Sequence, residues 1–293
     1  MDVLIVGAGT MGRWFGEAVD APVSFADVDE SIAREAATAV GGTVAALDGE
    51  GATADRYDAV CVAVPMGHVA AVIETQVGRA ERAILDVSGV MEPALSAMAT
   101  HGAELERLSL HPLFAPDRAP GSIPYVADAP GPVTDSILAN LEERGNELLE
   151  TTPEEHDGAM STIQAAAHAS ILSFALAAEP VPAGYETPIY SGLCDLTDRL
   201  LGGTPRVYAD IQRTFDGADR VAEAADRIAT AGDDELEALH RDAASRWDRL
   251  AADGDREDAT DAREDAPDGR EAATDVPEHV PDTPEDATDD REG

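Results

Sequence analysis

Two hydrophobic rhythms divide the chain. In its first half, short unbroken apolar runs alternate with stretches whose apolar residues recur at helical spacing. Val3–Val6, Pro22–Ala26, Tyr57–Val64 (YDAVCVAV) and Arg82–Val87 (RAILDV) are such runs, and Leu108–Leu110 and Tyr125–Ala127 are shorter ones. Continuous runs of this length read as strands of a parallel sheet buried on both faces. Arg13–Val19, Ser31–Val40 and Gly67–Val77 read as the helices between them. Ser31 is placed as an N-cap and Gly41-Gly42 as a helix stop. This alternation predicts an α/β fold with a doubly wound, mainly parallel sheet, whose ligands bind beyond the carboxyl ends of the strands.

From Pro153 the strand-like runs stop. Glu154–Ala178, Pro188–Leu201, Pro205–Thr214, Asp219–Ala229 and Asp234–Leu250 carry helical periods, and Pro153, Pro188 and Pro205 sit where first-turn prolines belong. Residues 153–252 are therefore expected to form an all-helical domain that packs on residues 1–152 and, as a homodimer, on a second copy of itself. The stretch Ala159–Ala178 approaches the length of a membrane span. It is broken by Ser161, Thr162, Gln164, His168, Ser170 and Ser173 and lacks basic flanks, so a core helix is expected. Residues 253–293 hold 17 acidic and 4 basic side chains and almost no large apolar ones. Such a tail cannot bury enough surface to offset ordering entropy and is expected to be disordered.

Charge narrows the partners. The 293 residues carry 59 acidic and 20 basic side chains, a formal net charge of −39, and none of the basic residues is a lysine. Nucleic acid and anionic membranes are excluded as partners, because both need a basic face. The acidic, lysine-free, alanine-rich composition resembles that of proteins from salt-loving archaea, and like-charge repulsion should loosen such a chain in dilute buffer. Cys61 and Cys194 show no metal or CxxC spacing and read as buried free thiols. A first strand this close to Met1 leaves no room for a signal peptide, so a cytoplasmic location is expected.

The strand Val3–Val6 runs straight into Gly7-Ala8-Gly9-Thr10-Met11-Gly12 and then a helix. This is a Rossmann-type dinucleotide turn. Gly7 permits the turn, Gly9 lets backbone approach a pyrophosphate, and Gly12 lets helix and strand pack closely. Asp27, at the end of the second strand and twenty residues after Gly7, is placed to bind an adenosine ribose. Its charge, with no arginine in Val28-Asp29, favours NAD over NADP. Pro65, at the end of the third long apolar run, falls at the same edge and joins Gly7, Gly9, Thr10, Met11, Gly12 and Asp27 as a cofactor-site residue.

His111 stands between a strand end and Pro112 in Ser109-Leu110-His111-Pro112-Leu113-Phe114-Ala115-Pro116. Two readings fit this position: a neutral imidazole that takes a proton from a substrate hydroxyl, or a structural histidine that caps a loop. His156, Met160, Gln164 and His168 recur every four residues on one helical stripe. His156, near the helix start, reads as structural; His168, in an alanine-rich run, reads as a pocket residue. No third ligand stands at metal-binding spacing, so no metal is expected.

The string LHPLFAP resembles the L-H-P-M-F-G-P signature of prephenate dehydrogenases, NAD-dependent enzymes of tyrosine synthesis. Glu155-His156-Asp157, Ile163-Gln164-Ala165 and His168, then Pro188-Ile189-Tyr190, Arg199 and Val207-Tyr208-Ala209-Asp210-Ile211, are similar to further motifs of that family in the same order. The resemblance spans Met1 to about residue 250. It implies that His111 is the catalytic histidine, that Arg199 binds a substrate carboxylate, and that Gln164 and His168 line the substrate pocket. Prephenate is the implied substrate, with an arogenate or cyclohexadienyl dehydrogenase, or a non-catalytic NAD-binding relative, as alternatives. One string departs from the pattern. Where the family often has D-x-x-S-V-K, this chain has Asp86-Val87-Ser88-Gly89-Val90-Met91, which puts the serine one place early and replaces the lysine by Met91. Ser88 is retained as a catalytic candidate.

Overall fold

The computed structural model describes residues 1–49 and 55–253; of the acidic tail 253–293 expected to be disordered, Asp253 ends a helix and the rest lies outside the described residues. One eight-stranded sheet organises the first half. Its strands are β1 (Val3–Val6), β2 (Val23–Ala26), β3 (Thr43–Val44), β4 (Tyr57–Val62), β5 (Ala80–Asp86), β6 (Glu106–Leu110), β7 (Ser122–Ala129) and β8 (Glu147–Glu150), in the order β3-β2-β1-β4-β5-β6-β7-β8. All pairs are parallel except β6 with β7. The strands are unbroken apolar runs because both faces are covered. On one face Ile5, Phe25, Leu85 and Leu108 pack with Phe15; on the other Leu4, Val60 and Ile84 pack with Ile73, Met91 and Met98. A Leu, Ile or Phe so buried contributes roughly 1.5–3 kcal/mol.

The helices are α1 (Thr10–Ala18), α2 (Glu30–Val40), α3 (Val69–Gln76), α4 (Glu92–His101) and α5 (Pro132–Glu143) around the sheet. Then come α6 (Pro153–Met160), a π-helical segment Ser161–Ala166, α7 (Ala167–Ala177), α8 (Pro188–Leu201), α9 (Pro205–Thr214) and α10 (Gly217–Thr230). Residues Met1–Ala229 form one compact unit, in which Met160, Ala165, Ile211 and Phe215 complete the second apolar core of the sheet. The unit that begins at Thr230 contains, among the described residues, the helix α11 (Asp233–Asp253).

Three expectations need correction. The N-cap of α2 is Asp29, whose carboxylate accepts from Ser31 N at 2.9 Å, so Ser31 lies inside the helix; Gly41 closes it at φ 80° as expected. Cys61 is buried, but Cys194 is only half-buried because α8 has few covers. The core-helix reading of Ala159–Ala178 holds for Met160, Ser161 and Ala165 and fails beyond, since no residue of α7 is buried. The continuous helix Pro153–Ala177 is long and apolar enough to cross a membrane by length and composition.

Candidate active site

The carboxyl ends of the parallel strands bring the candidates together. After β1, Gly7 turns at φ 100°, and a Cβ there would lie 2.3 Å from Ala63 O; at Gly12 one would lie 2.0 Å from Gly7 O. Neither position admits a side chain. Gly9 is different: nothing lies within 4 Å of where its Cβ would be, and Gly9 and Thr10 are exposed, with Met11 half-buried. The first turn of α1 has Gly9 as N-cap and, among the described residues, no side-chain cap. A helix start of this kind attracts an anionic group. Asp27, after β2, accepts from Ala8 N at 2.8 Å and from Asp29 N at 3.0 Å, so it holds the turn while its oxygens keep further lone pairs. Pro65, exposed after β4, accepts from His68 N at 2.8 Å and starts a short 3-10 turn. An open glycine side, an uncapped helix start and an acidic strand end fit a dinucleotide.

After β5 the chain turns back on itself. Ser88 donates through Oγ at 2.5 Å and through N at 2.9 Å to Asp86 Oδ2. Asp86 is fully buried, and burial pushes its carboxyl up to about 6 against the lowering effect of the Ser88 and Ser109 hydroxyls, Ser88 N–H and His156. Gly89 follows at φ 86°, and Met91 is wholly buried in the second core. The position at which a family lysine was expected is thus an apolar core site, with Met91 N donating at 3.3 Å to Asp157 Oδ1.

His111 follows β6. Its N donates to Pro124 O at 2.9 Å and Leu113 N donates to Ser122 O at 3.0 Å, so the β6–β7 pairing continues past the strand and fixes the loop. Phe114 of the same loop meets Trp14 of α1 edge-on at 5.3 Å. His111 is half-buried; its Nδ1 lies 2.8 Å from His156 Nε2, and His156 Nδ1 lies 2.7 Å from Asp157 Oδ1. Burial, and then the neighbouring His156, lower His111 to about 3, with Asp157 pulling the other way. His111 is therefore a neutral imidazole at ordinary pH. Burial alone would raise Asp157, but the His156 bond and the N–H groups of Met91 and Glu92 outweigh it and hold the carboxyl below the usual range. His156 is 2% exposed and touches His111 directly, which the structural reading of its position did not anticipate.

Gln164 and His168 lie farther along, in the π segment and on α7. Both are half-buried, and Gln164 Oε1 and His168 Nδ1 are covered without a partner among the described residues. His168 meets Tyr208 edge-on at 5.0 Å, and burial lowers its pKa. The π segment is anchored by Ser161, which donates to Asp216 and accepts from Arg220 Nη2 at 2.7 Å. Arg199 is exposed on α8, with no ion pair or hydrogen bond among the described residues. No group of three or more His, Cys, Asp or Glu is placed to hold a metal among the described residues.

No family model matches the chain. A 4-amino-4-deoxyprephenate dehydrogenase of Streptomyces pristinaespiralis is 27% identical over 226 residues, 72% of this chain and 76% of that protein. A probable arogenate/prephenate dehydrogenase of Methanocaldococcus jannaschii is 24% identical over 174 residues, 54% of this chain and 39% of that protein. Among solved structures, the prephenate dehydrogenase of A. aeolicus in complex with hydroxyphenyl propionate and NAD+ matches at TM-score 0.60 and 13% identity, over 85% of this chain and 98% of that one. The Synechocystis arogenate dehydrogenase matches at 0.51 and 18% identity, over 85% and 100%. The homologues and structural neighbours are thus prephenate and arogenate dehydrogenases, and the likeness establishes the fold.

Proposed function

We propose that the protein is an NAD-dependent dehydrogenase that converts prephenate to 4-hydroxyphenylpyruvate with loss of carbon dioxide. The observation that carries this reading is a neutral imidazole, His111, fixed by its backbone at the strand edge that also holds the open glycine turn. Bound NAD would supply the hydride acceptor for the ring carbon that bears the hydroxyl. Gly7, Gly9, Thr10, Met11, Gly12, Asp27 and Pro65 would hold it, and Asp27 disfavours a 2′-phosphate. His111 takes the hydroxyl proton as the hydride leaves. The Ser88 hydroxyl proton is committed to Asp86, so Ser88 is not a proton donor to the substrate oxygen and instead holds Asp86 in place beside the site. Arg199 binds a substrate carboxylate through its planar fork, and the half-buried Gln164 and His168 form the pocket wall.

The exposed apolar side chains of the helical segment, Leu176, Ile189, Leu201 and Val207 among them, support assembly as a homodimer through α7 to α9. A second substrate reading has its own support: the Streptomyces relative is a dehydrogenase of the 4-amino analogue. The test is NADH formation in concentrated potassium chloride with prephenate, arogenate and 4-amino-4-deoxyprephenate side by side. Fastest turnover of prephenate is expected. Preference for the amino compound would move the assignment to that reaction, and silence with all three in a folded, NAD-binding protein would overturn it.

A further inference from the structure

His111 does not work alone. The hydrogen-bonded series that runs from it through His156 ends in Asp157, a group that can only accept, and the position of each proton in the series follows from that end. Asp157 is held ionised by three donors: Met91 N at 3.3 Å, Glu92 N at 3.3 Å and His156 Nδ1 at 2.7 Å. The carboxylate therefore fixes the proton of His156 on Nδ1 and leaves Nε2 as a lone pair. That lone pair is 2.8 Å from His111 Nδ1, which must then carry the N–H. The free nitrogen of His111 is Nε2, unprotonated and able to act as a base. The two rings meet at 72°, an edge geometry suited to an N–H···N bond. A Cβ on Gly89 would stand 3.0 Å from His111 Nε2, so glycine at this position, with its φ of 86°, clears the approach to that nitrogen.

We propose that His156, backed by Asp157, is the final acceptor of the proton that His111 removes from the substrate. This rests on the reading of His111 as the base. The substrate O–H bond breaks as an N–H bond forms at His111 Nε2. The His111 Nδ1–H bond breaks as one forms at His156 Nε2. His111 ends neutral with its proton on Nε2, and the positive charge ends on His156, bonded to a carboxylate. The relay moves protons only; the oxidation is the one described above. The gain is electrostatic. A half-buried imidazolium at His111 has no counter-ion in contact among the described residues, whereas one at His156 has Asp157 at 2.7 Å. The charged or titratable groups acting on the pair are Asp157 and, through His156, the buried Asp86.

His156→Gln separates holding from accepting. The amide oxygen of glutamine takes the His111 N–H bond and keeps the ring in place, but it cannot bind the transferred proton. With the full chain and the substrate that it turns over, kcat is expected to fall about a hundredfold, the lower end of general acid–base effects, with KM and NAD affinity near wild type. His111→Asn is measured beside it. If His111→Asn is inactive while His156→Gln keeps wild-type kcat, the relay is overturned and the base stands. If His111→Asn keeps its turnover, the base assignment falls and the relay with it. Ring nitrogen-15 spectra of the histidines in the resting wild-type protein give a readout independent of activity. Protons on Nδ1 of both His111 and His156 are expected, and a proton on His111 Nε2 would overturn the proposal even if His156→Gln failed to fold.

Discussion

The strand-end edge and the helical segment beyond Ala166 are opposite in finish. At the edge, Asp27, His111, His156 and Asp157 have partners and Asp86 accepts through Oδ2, though its Oδ1 and Ser109 Oγ are buried without one among the described residues. Turns there are so tight that Gly7 and Gly12 admit no methyl group. In α7 no residue is buried, Leu176 is 88% exposed, and Arg199 on α8 has no partner among the described residues. A polar group that is buried and satisfied is expensive to disturb, while an open apolar face awaits another surface. The strand-end edge is thus tied together by its own side chains, whereas the helical segment leaves apolar side chains such as Leu176 and Leu201 uncovered among the described residues.

Substitutions at the two regions should differ in size. Gly12→Ala puts a methyl group 2.0 Å from Gly7 O, and overpacking of this kind costs about 1–3 kcal/mol or more. Loss of NAD binding, read by fluorescence titration, is expected, and wild-type affinity would show that the turn yields. Arg199→Gln should raise KM for the substrate about tenfold to a hundredfold and leave kcat largely intact, as expected for one charge-assisted contact. An unchanged KM removes Arg199 from the pocket. Leu176→Asp should shift the protein toward single chains in sedimentation with only a few-fold change in kcat. A dimer of wild-type strength would move the interface elsewhere.

The smallest effect is in pH. His111 falls from 6.5 to about 3 on folding, so as pH drops below 6.5 the unfolded chain gains a proton there that the folded one refuses, and stability is lost. Asp86 rises from 3.8 to about 6, so its folded form gains the proton first, and its contribution runs the opposite way between those values. His111→Asn removes the first and keeps the second. Relative to wild type, its melting temperature should therefore rise between pH 7 and pH 5; a parallel shift in both proteins would place the His111 ring in solvent.

The strand edge was largely legible in the sequence. Apolar runs give the long strands because both faces are buried, and Pro188–Leu201 and Pro205–Thr214 were read to the residue, since an N-terminal proline marks each start. Thr43–Val44, Glu92–His101, Pro132–Glu143 and Glu147–Glu150 were not read. Strands of two or four largely exposed residues have no apolar run, and helix α4 is masked by apolar residues on several sides. The pairing of His156 with His111 spans 45 residues and depends on how α6 docks, which no local pattern encodes. One signal was present: Glu155-His156-Asp157 sets a carboxylate beside a histidine at a helix start, where a cap alone needs only one of the two. The π segment could not be read either, because the four-residue stripe His156, Met160, Gln164, His168 fits an α-helix equally well.

Asp157 joins two parts of the chain that lie far apart in sequence, since it receives N–H groups from the start of α4 and orients a histidine of α6. Warming offers a way to see this as an order of events. The first turn of α6 starts at the exposed N-cap Thr152 and carries Glu155 at the surface, and helix ends open before cores do. When that turn opens, His111 loses its partner while β1, Gly7 and Gly12 are still packed. Inactivation on heating should then precede both release of NAD and the main melting transition, so that the protein passes through a warm state that still binds its cofactor and no longer turns over.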